Sequence, residues 1–134
     1  MTQRKIEISV ENLDKAFSSL KEFLAEPVLT RRDRAGVIQA FEYSFEQFWK
    51  VFKKIADFEN IPVASPRQAI QSAFQLGIIS AEDEETWADI IKTRNETSHT
   101  YNEQQAVTAA NKIAGPYLTA FERAWSAVTL KISK

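Results

Sequence analysis

Apolar residues recur along most of the chain at intervals of three and four, the period that lines one face of an α-helix. Val10, Leu13, Phe17, Leu20 and Leu24 make the first such stripe, and Pro27 closes it. A second opens at Thr30, where the hydroxyl and the Asp33 carboxylate three residues on have the spacing of a capping box. It carries Val37, Phe41, Phe45, Phe48, Phe52 and Ile55 in line, with Trp49 and Phe58 beside them. That is a helix of about 27 residues, or ~40 Å. Asn60 to Ser65 break the pattern. Ser65-Pro66-Arg67-Gln68 then reads as an N-cap, a proline at the first helical position and a glutamine that closes a capping box. The short helix after it buries Ala69, Ile70, Ala73 and Phe74 and stops at Gly77. Ser80 with Asp83 and Glu84 starts another, whose apolar side is Trp87, Ile90 and Ile91.

The last stripe is Val107, Ala110, Ala114, Tyr117, Phe121, Trp125, Val128 and Ile132, interrupted by Gly115-Pro116. Proline removes an amide donor and crowds the preceding turn, which predicts one long kinked helix, or failing that two helices. The polar-apolar alternation of Met1 to Ser9 is too short to support a sheet. The expected fold is all-α: an up-and-down antiparallel four-helix bundle, with one helix shorter than the other three and a short additional helix in a connection. One domain is expected over 1–134.

Composition narrows the chemistry. A chain of 134 residues buries roughly two-thirds of its unfolded surface and needs no metal or disulfide to hold its core. The absence of cysteine excludes thiolate metal sites and cysteine catalysis, and one histidine, His99, excludes paired-histidine metal designs within a chain. No cofactor is expected. Seventeen Lys and Arg against eighteen Asp and Glu argue against a nucleic-acid binder held by bulk charge, though not against a local basic patch. No apolar run reaches membrane-spanning length, and the start, with Glu7, is unlike a secretion signal, so a cytoplasmic location is expected.

One stretch departs from the stripes. From Ile91 to Ala106 no aliphatic residue appears, and Arg94, Asn95, His99, Tyr101 and Asn102 gather a guanidinium, an imidazole, a phenol and two amides. A core gains nothing from such a set. It reads either as a solvated helix end and turn, or as a site for a phosphate: Arg94 to grip a phosphodiester with paired hydrogen bonds, His99 to move a proton. On an unbroken helix Arg94 and His99 point about 140° apart and are ~7.5 Å apart along the axis. To meet one phosphate, the arginine must reach round, the helix must end before His99, or both must face a shared cleft. A symmetric dimer would bring two of each to one cleft. Arg31, Arg32 and Arg34 form a basic group that can touch RNA backbone or simply be a solvated helix start. Glu82 to Glu85 suits a first helical turn or a basic partner, and Trp49 suits a core boundary or an interface. No glycine-rich phosphate loop is present.

Arg94-Asn95-Glu96-Thr97-Ser98-His99-Thr100-Tyr101 resembles the signature of the HEPN superfamily: arginine, four residues, histidine, any residue, tyrosine. More narrowly the chain resembles the nucleotidyltransferase substrate-binding branch, which includes HepT toxins of MNT-HEPN toxin-antitoxin pairs. Residues 36–46, 65–68, 73–77 and 97–103 carry the likeness, which runs from about residue 9 to about 130. The resemblance implies a homodimeric helical bundle with the motif near the dimer interface and a small nucleotidyltransferase as partner. It implies one of two roles. In the first the chain is a metal-independent endoribonuclease toxin with Arg94 and His99 catalytic and Asn95 supporting. Its partner neutralises it and attaches AMP to Tyr101, which would mask Arg94 and fill the RNA cleft. In the second the chain is the non-catalytic substrate-binding subunit of a two-component nucleotidyltransferase.

Overall fold

The computed structural model describes residues 3–133, all of whose regular structure is helical. Six helices follow in order: α1 (Gln3–Leu24), α2 (Arg31–Phe58), α3 (Pro66–Gln75), α4 (Glu84–Thr97), α5 (Glu103–Lys112) and α6 (Leu118–Ile132). Residues 1 and 2 of the alternating Met1–Ser9 stretch lie outside the described residues; from Gln3 on that stretch is the first turns of α1, with Ile6 and Ser9 buried.

The helix ends follow local chemistry. Thr30 caps α2: its hydroxyl accepts the Asp33 amide at 3.0 Å, while the Asp33 carboxylate accepts the amides of Leu29 and Thr30, each at 3.0 Å. Those amides hold the Asp33 carboxyl below its ordinary range. Ser65 caps α3 with Pro66 at its first position, but the Gln68 carboxamide reaches past the cap to the Ala64 amide at 2.7 Å, so the box expected there closes one residue early. α3 stops before Gly77, whose φ of 76° suits a residue without Cβ. The helix expected at Ser80 begins as a 3-10 turn, Ala81–Asp83, with α4 starting at Glu84.

The kink expected at Gly115-Pro116 is present. A widened turn, Ile113–Tyr117, joins α5 to α6, and Gly115 takes non-helical angles there (φ −107°, ψ −105°). The proline is thereby accommodated, and α5 and α6 run on as one bent helix.

Cross-helix contacts fix the directions. Phe23 lies against Gly36, where a Cβ would come within 2.9 Å of its ring, and the Ser44 hydroxyl reaches the Ala16 carbonyl. α1 and α2 are therefore antiparallel. Phe52 and Phe48 meet Trp87, and Glu42 meets Thr97, so α4 runs against α2. Asp83 pairs with Arg123 and Asp89 with Lys112, so the bent α5–α6 runs against α4. This is an up-and-down four-helix bundle, with α3 the short element in the α2–α4 connection.

Its centre is aromatic. Phe48 and Phe121 stack with centroids 4.6 Å apart, Phe17 meets both edge-on, and Trp87 presents an edge to Phe48 at 5.7 Å. These four rings come from α1, α2, α4 and α6, so each long helix is tied to the others at one level of the bundle.

Candidate functional site at the end of the fourth helix

α4 changes character along its length. Trp87, Ile90 and Ile91 are buried, whereas Arg94, Asn95, Glu96 and everything from Ser98 to Asn102 reach solvent at least in part. Between the two zones lies Thr97, whose hydroxyl donates to the Glu42 carboxylate at 2.7 Å and ties the end of α4 to α2. The Ser98 amide bonds the Arg94 carbonyl at 3.1 Å and the helix stops. The chain then turns through Ser98 and His99 and reaches Asn102, which caps α5 in a box with Gln105, both bonds 2.8 Å. The polar motif is thus a turn framed by one helix end and one helix start.

The helix therefore ends before His99, one of the arrangements that would free the imidazole from the helical offset relative to Arg94. His99 sits exposed on the turn, its amide bonded to the Glu96 carbonyl at 3.4 Å. Among the described residues no hydrogen bond or ion pair engages its side chain. Arg94 lines a groove between α2 and α4, together with Glu42, Tyr43, Glu46, Thr97 and Ser98. Its guanidinium lies 3.7 Å from the Glu46 carboxylate and 6.0 Å from the centre of the Phe45 ring. Glu46 is itself fixed by the Trp49 indole N–H at 3.0 Å, with Lys50 3.8 Å away. Trp49 therefore acts at the boundary of the core, orienting the carboxylate that faces Arg94. Asn95 is exposed on the adjoining turn of α4.

Tyr101 faces elsewhere. Half-buried, it lines a separate pocket of about 170 Å³ between α4 and α5 that includes Thr93, Glu96 and Lys112, and it borders another, of about 300 Å³, beside Arg31. Thr97 is the wall shared by the Arg94 groove and the Tyr101 pocket between α4 and α5.

The basic group divides. Arg34 is largely covered and pairs with Glu103, the first residue of α5, while also donating to the Leu29 carbonyl at 3.3 Å. Arg31 reaches the same carboxylate at 3.6 Å but stays exposed. Arg32 borders a different hollow, near Phe23 and Pro27. Two of the three arginines thus fasten the motif turn's exit to the start of α2.

Beneath the turn lies a polar network in which Tyr117 and Thr93 are buried and Asp89 and Lys112 reach solvent. The Tyr117 hydroxyl bonds the Asp89 carboxylate at 2.5 Å and the Thr93 hydroxyl at 2.7 Å, while Lys112 approaches Asp89 at 3.2 Å. The tyrosine bond holds the Asp89 carboxyl below its ordinary range, and burial with that bond pushes the Tyr117 phenol well above its own. On the other side Arg123 pairs with the buried Asp83 at 2.7 Å. Neither pair was visible as a motif, because each joins α4 or its first turn to the bent helix by packing alone. Among the described residues no group of His, Cys, Asp and Glu is suited to hold a metal ion, and no helix is long and apolar enough to cross a membrane.

Fold and motif together define an all-α bundle with an arginine-histidine-tyrosine turn at the end of its fourth helix. The chain belongs to the nucleotidyltransferase substrate binding protein-like family, whose sequence model matches residues 8–129. A search of curated proteins finds no match. Among solved structures, the crystal structure of ttk003001694 from Thermus thermophilus is similar at a TM-score of 0.74 and 28% identity, covering 91% of this chain and 99% of that one.

Proposed function

We propose that this chain is an RNA-cleaving protein of the HEPN type that acts without a metal and is held in check by a small nucleotidyltransferase. The observation that carries the reading is the end of α4 at Thr97, which leaves Arg94 on the wall of a groove and places His99 on an exposed turn with its imidazole unengaged. In this reading Arg94 holds a phosphodiester and stabilises the charge that develops on it. His99 takes the proton of the neighbouring 2′-hydroxyl; the 2′-oxygen bonds to phosphorus, the bond from phosphorus to the 5′-oxygen breaks, and that oxygen receives a proton. One imidazole serves both transfers in turn, or two do so across the twofold axis of a homodimer. The chemistry needs a base, an acid and a cation, which these residues supply. In this reading Asn95 supports the pair, and Arg31 and Arg32, both exposed, add contacts to the RNA backbone. AMP on Tyr101 would add charge and bulk at the neighbouring wall of Thr97.

One observation favours a second reading. Glu46 already faces Arg94, an arrangement that a non-catalytic substrate-binding subunit of a two-component nucleotidyltransferase tolerates and a ribonuclease must overcome. Expression alone and together with the nucleotidyltransferase, for the wild type and His99→Ala, separates the two. The toxin reading predicts growth arrest and RNA loss for the wild type alone, relieved by the partner and by His99→Ala, with AMP mapped to Tyr101 by mass spectrometry after co-expression. Equal growth in all four cultures, with transfer to an external substrate that depends on this chain, would support the subunit reading instead.

A further inference from the structure

Resting on the RNA-cleaving reading, we propose that the exposed ring of Tyr43 is the platform on which a base of single-stranded RNA stacks while Arg94 holds the adjoining phosphate. Tyr43 stands apart from the other rings of α2. Phe41, Phe45, Phe48 and Phe52 are in the core, but Tyr43, on the opposite side of the helix, is 61% exposed. It lines the same groove as Arg94, about 360 Å³ in volume and within the roughly 300–1,000 Å³ range of small-ligand clefts. Its hydroxyl accepts from the Gln39 carboxamide one turn earlier, at 3.3 Å, which limits the freedom the ring would lose on stacking. A planar ring beside a guanidinium is the pairing with which proteins grip unpaired nucleotides, base on ring and phosphate on cation.

The charges of the groove make the ring necessary. Glu42 and Glu46 flank Arg94, and the chain's net charge is −1, so general attraction for RNA is weak. Both carboxylates are already held, Glu42 by Thr97 and Glu46 by the Trp49 indole, Lys50 and Arg94. A phosphate that takes Arg94 from Glu46 exchanges one ion pair for another and gains little. Affinity must then come from a contact that does not depend on charge, which is what a stacked base supplies.

The test uses a single strand of about ten nucleotides, 2′-O-methylated so that it cannot be cut, with binding followed by fluorescence anisotropy on the full chain. Tyr43→Ala is expected to weaken binding roughly 5- to 100-fold, while Tyr43→Phe binds like the wild type. The salt slope, set by the phosphate contacts alone, should be the same in both variants. A strand with a single abasic position should bind the wild type more weakly at one register, and Tyr43→Ala should add no further loss there. Unchanged binding by Tyr43→Ala, while Arg94→Ala loses it, overturns the stacking role and leaves the RNA reading standing. Loss from Tyr43→Ala that comes with a changed sedimentation coefficient assigns the ring to contact between copies and also overturns it. No binding of the strand by the wild type overturns both.

Discussion

The two ends of α4 are built on opposite principles. At its start, Trp87 joins Phe17, Phe48 and Phe121 in a ring cluster where every long helix contributes and side chains are fully buried. At its finish, Arg94, Asn95 and His99 reach water, and the Arg94 guanidinium rests on an ion pair with Glu46 rather than on packing. The first end makes the bundle; the second is carried by it. One helix can serve both only because Thr97 stops it, tied to Glu42 on α2, before the polar residues would turn inward.

The difference can be broken from the core side first. Phe121→Ala removes a ring that touches Phe17, Phe41, Phe48 and Trp87, and should cost about 3–5 kcal/mol in urea unfolding. An effect under about 1 kcal/mol would mean that the cluster does not set stability.

Next in size is the polar layer between the two ends. Tyr117→Phe removes the hydroxyl shared by Asp89 and Thr93 and should cost about 1–2 kcal/mol near neutral pH. Its pH signature is more specific. The Tyr117 phenol titrates higher in the folded chain than its ordinary 10.0, so the wild type should lose stability as pH rises above that value, and Tyr117→Phe should lose less. The Asp89 carboxyl titrates below its ordinary 3.8, so its contribution is present above that value and fades as pH falls below it; Asp89→Asn should lack that acid slope. Parallel pH-stability curves for variants and wild type would contradict the network.

Smaller again is the entry to α2. Thr30→Ala frees the Asp33 amide and should cost about 1 kcal/mol, read as a lower unfolding midpoint with an unchanged denaturant slope.

The sequence made these regions unequally legible, for a physical reason. Capping boxes, the proline kink and the apolar stripes are relations within a few residues, so Thr30 with Asp33, Gly115 with Pro116 and the phenylalanine line of α2 could be read directly. The Gln68 box missed its partner by one residue because a long side chain can reach either of two amides. The pairs that shape the candidate site join residues far apart in the chain: Glu42 with Thr97, Glu46 with Arg94, Arg34 with Glu103, Asp83 with Arg123. No local pattern announces them. The residues of the motif were legible by type and spacing; that Arg94 faces a carboxylate, and that Arg34 is occupied in holding α5, came only with packing.

At the far end of the scale, Arg94→Ala and His99→Ala should shift stability by no more than about 0.5 kcal/mol, since neither side chain is part of the core. Here the order of effects reverses, and the smallest structural change carries the largest functional one. Incubation of purified wild type, Arg94→Ala and His99→Ala with single-stranded RNA in chelator, each preparation also melted to confirm its fold, tests this most directly. The account predicts fragments ending in 2′,3′-cyclic phosphate from the wild type and none from either folded variant. Undiminished cutting by folded His99→Ala would contradict it.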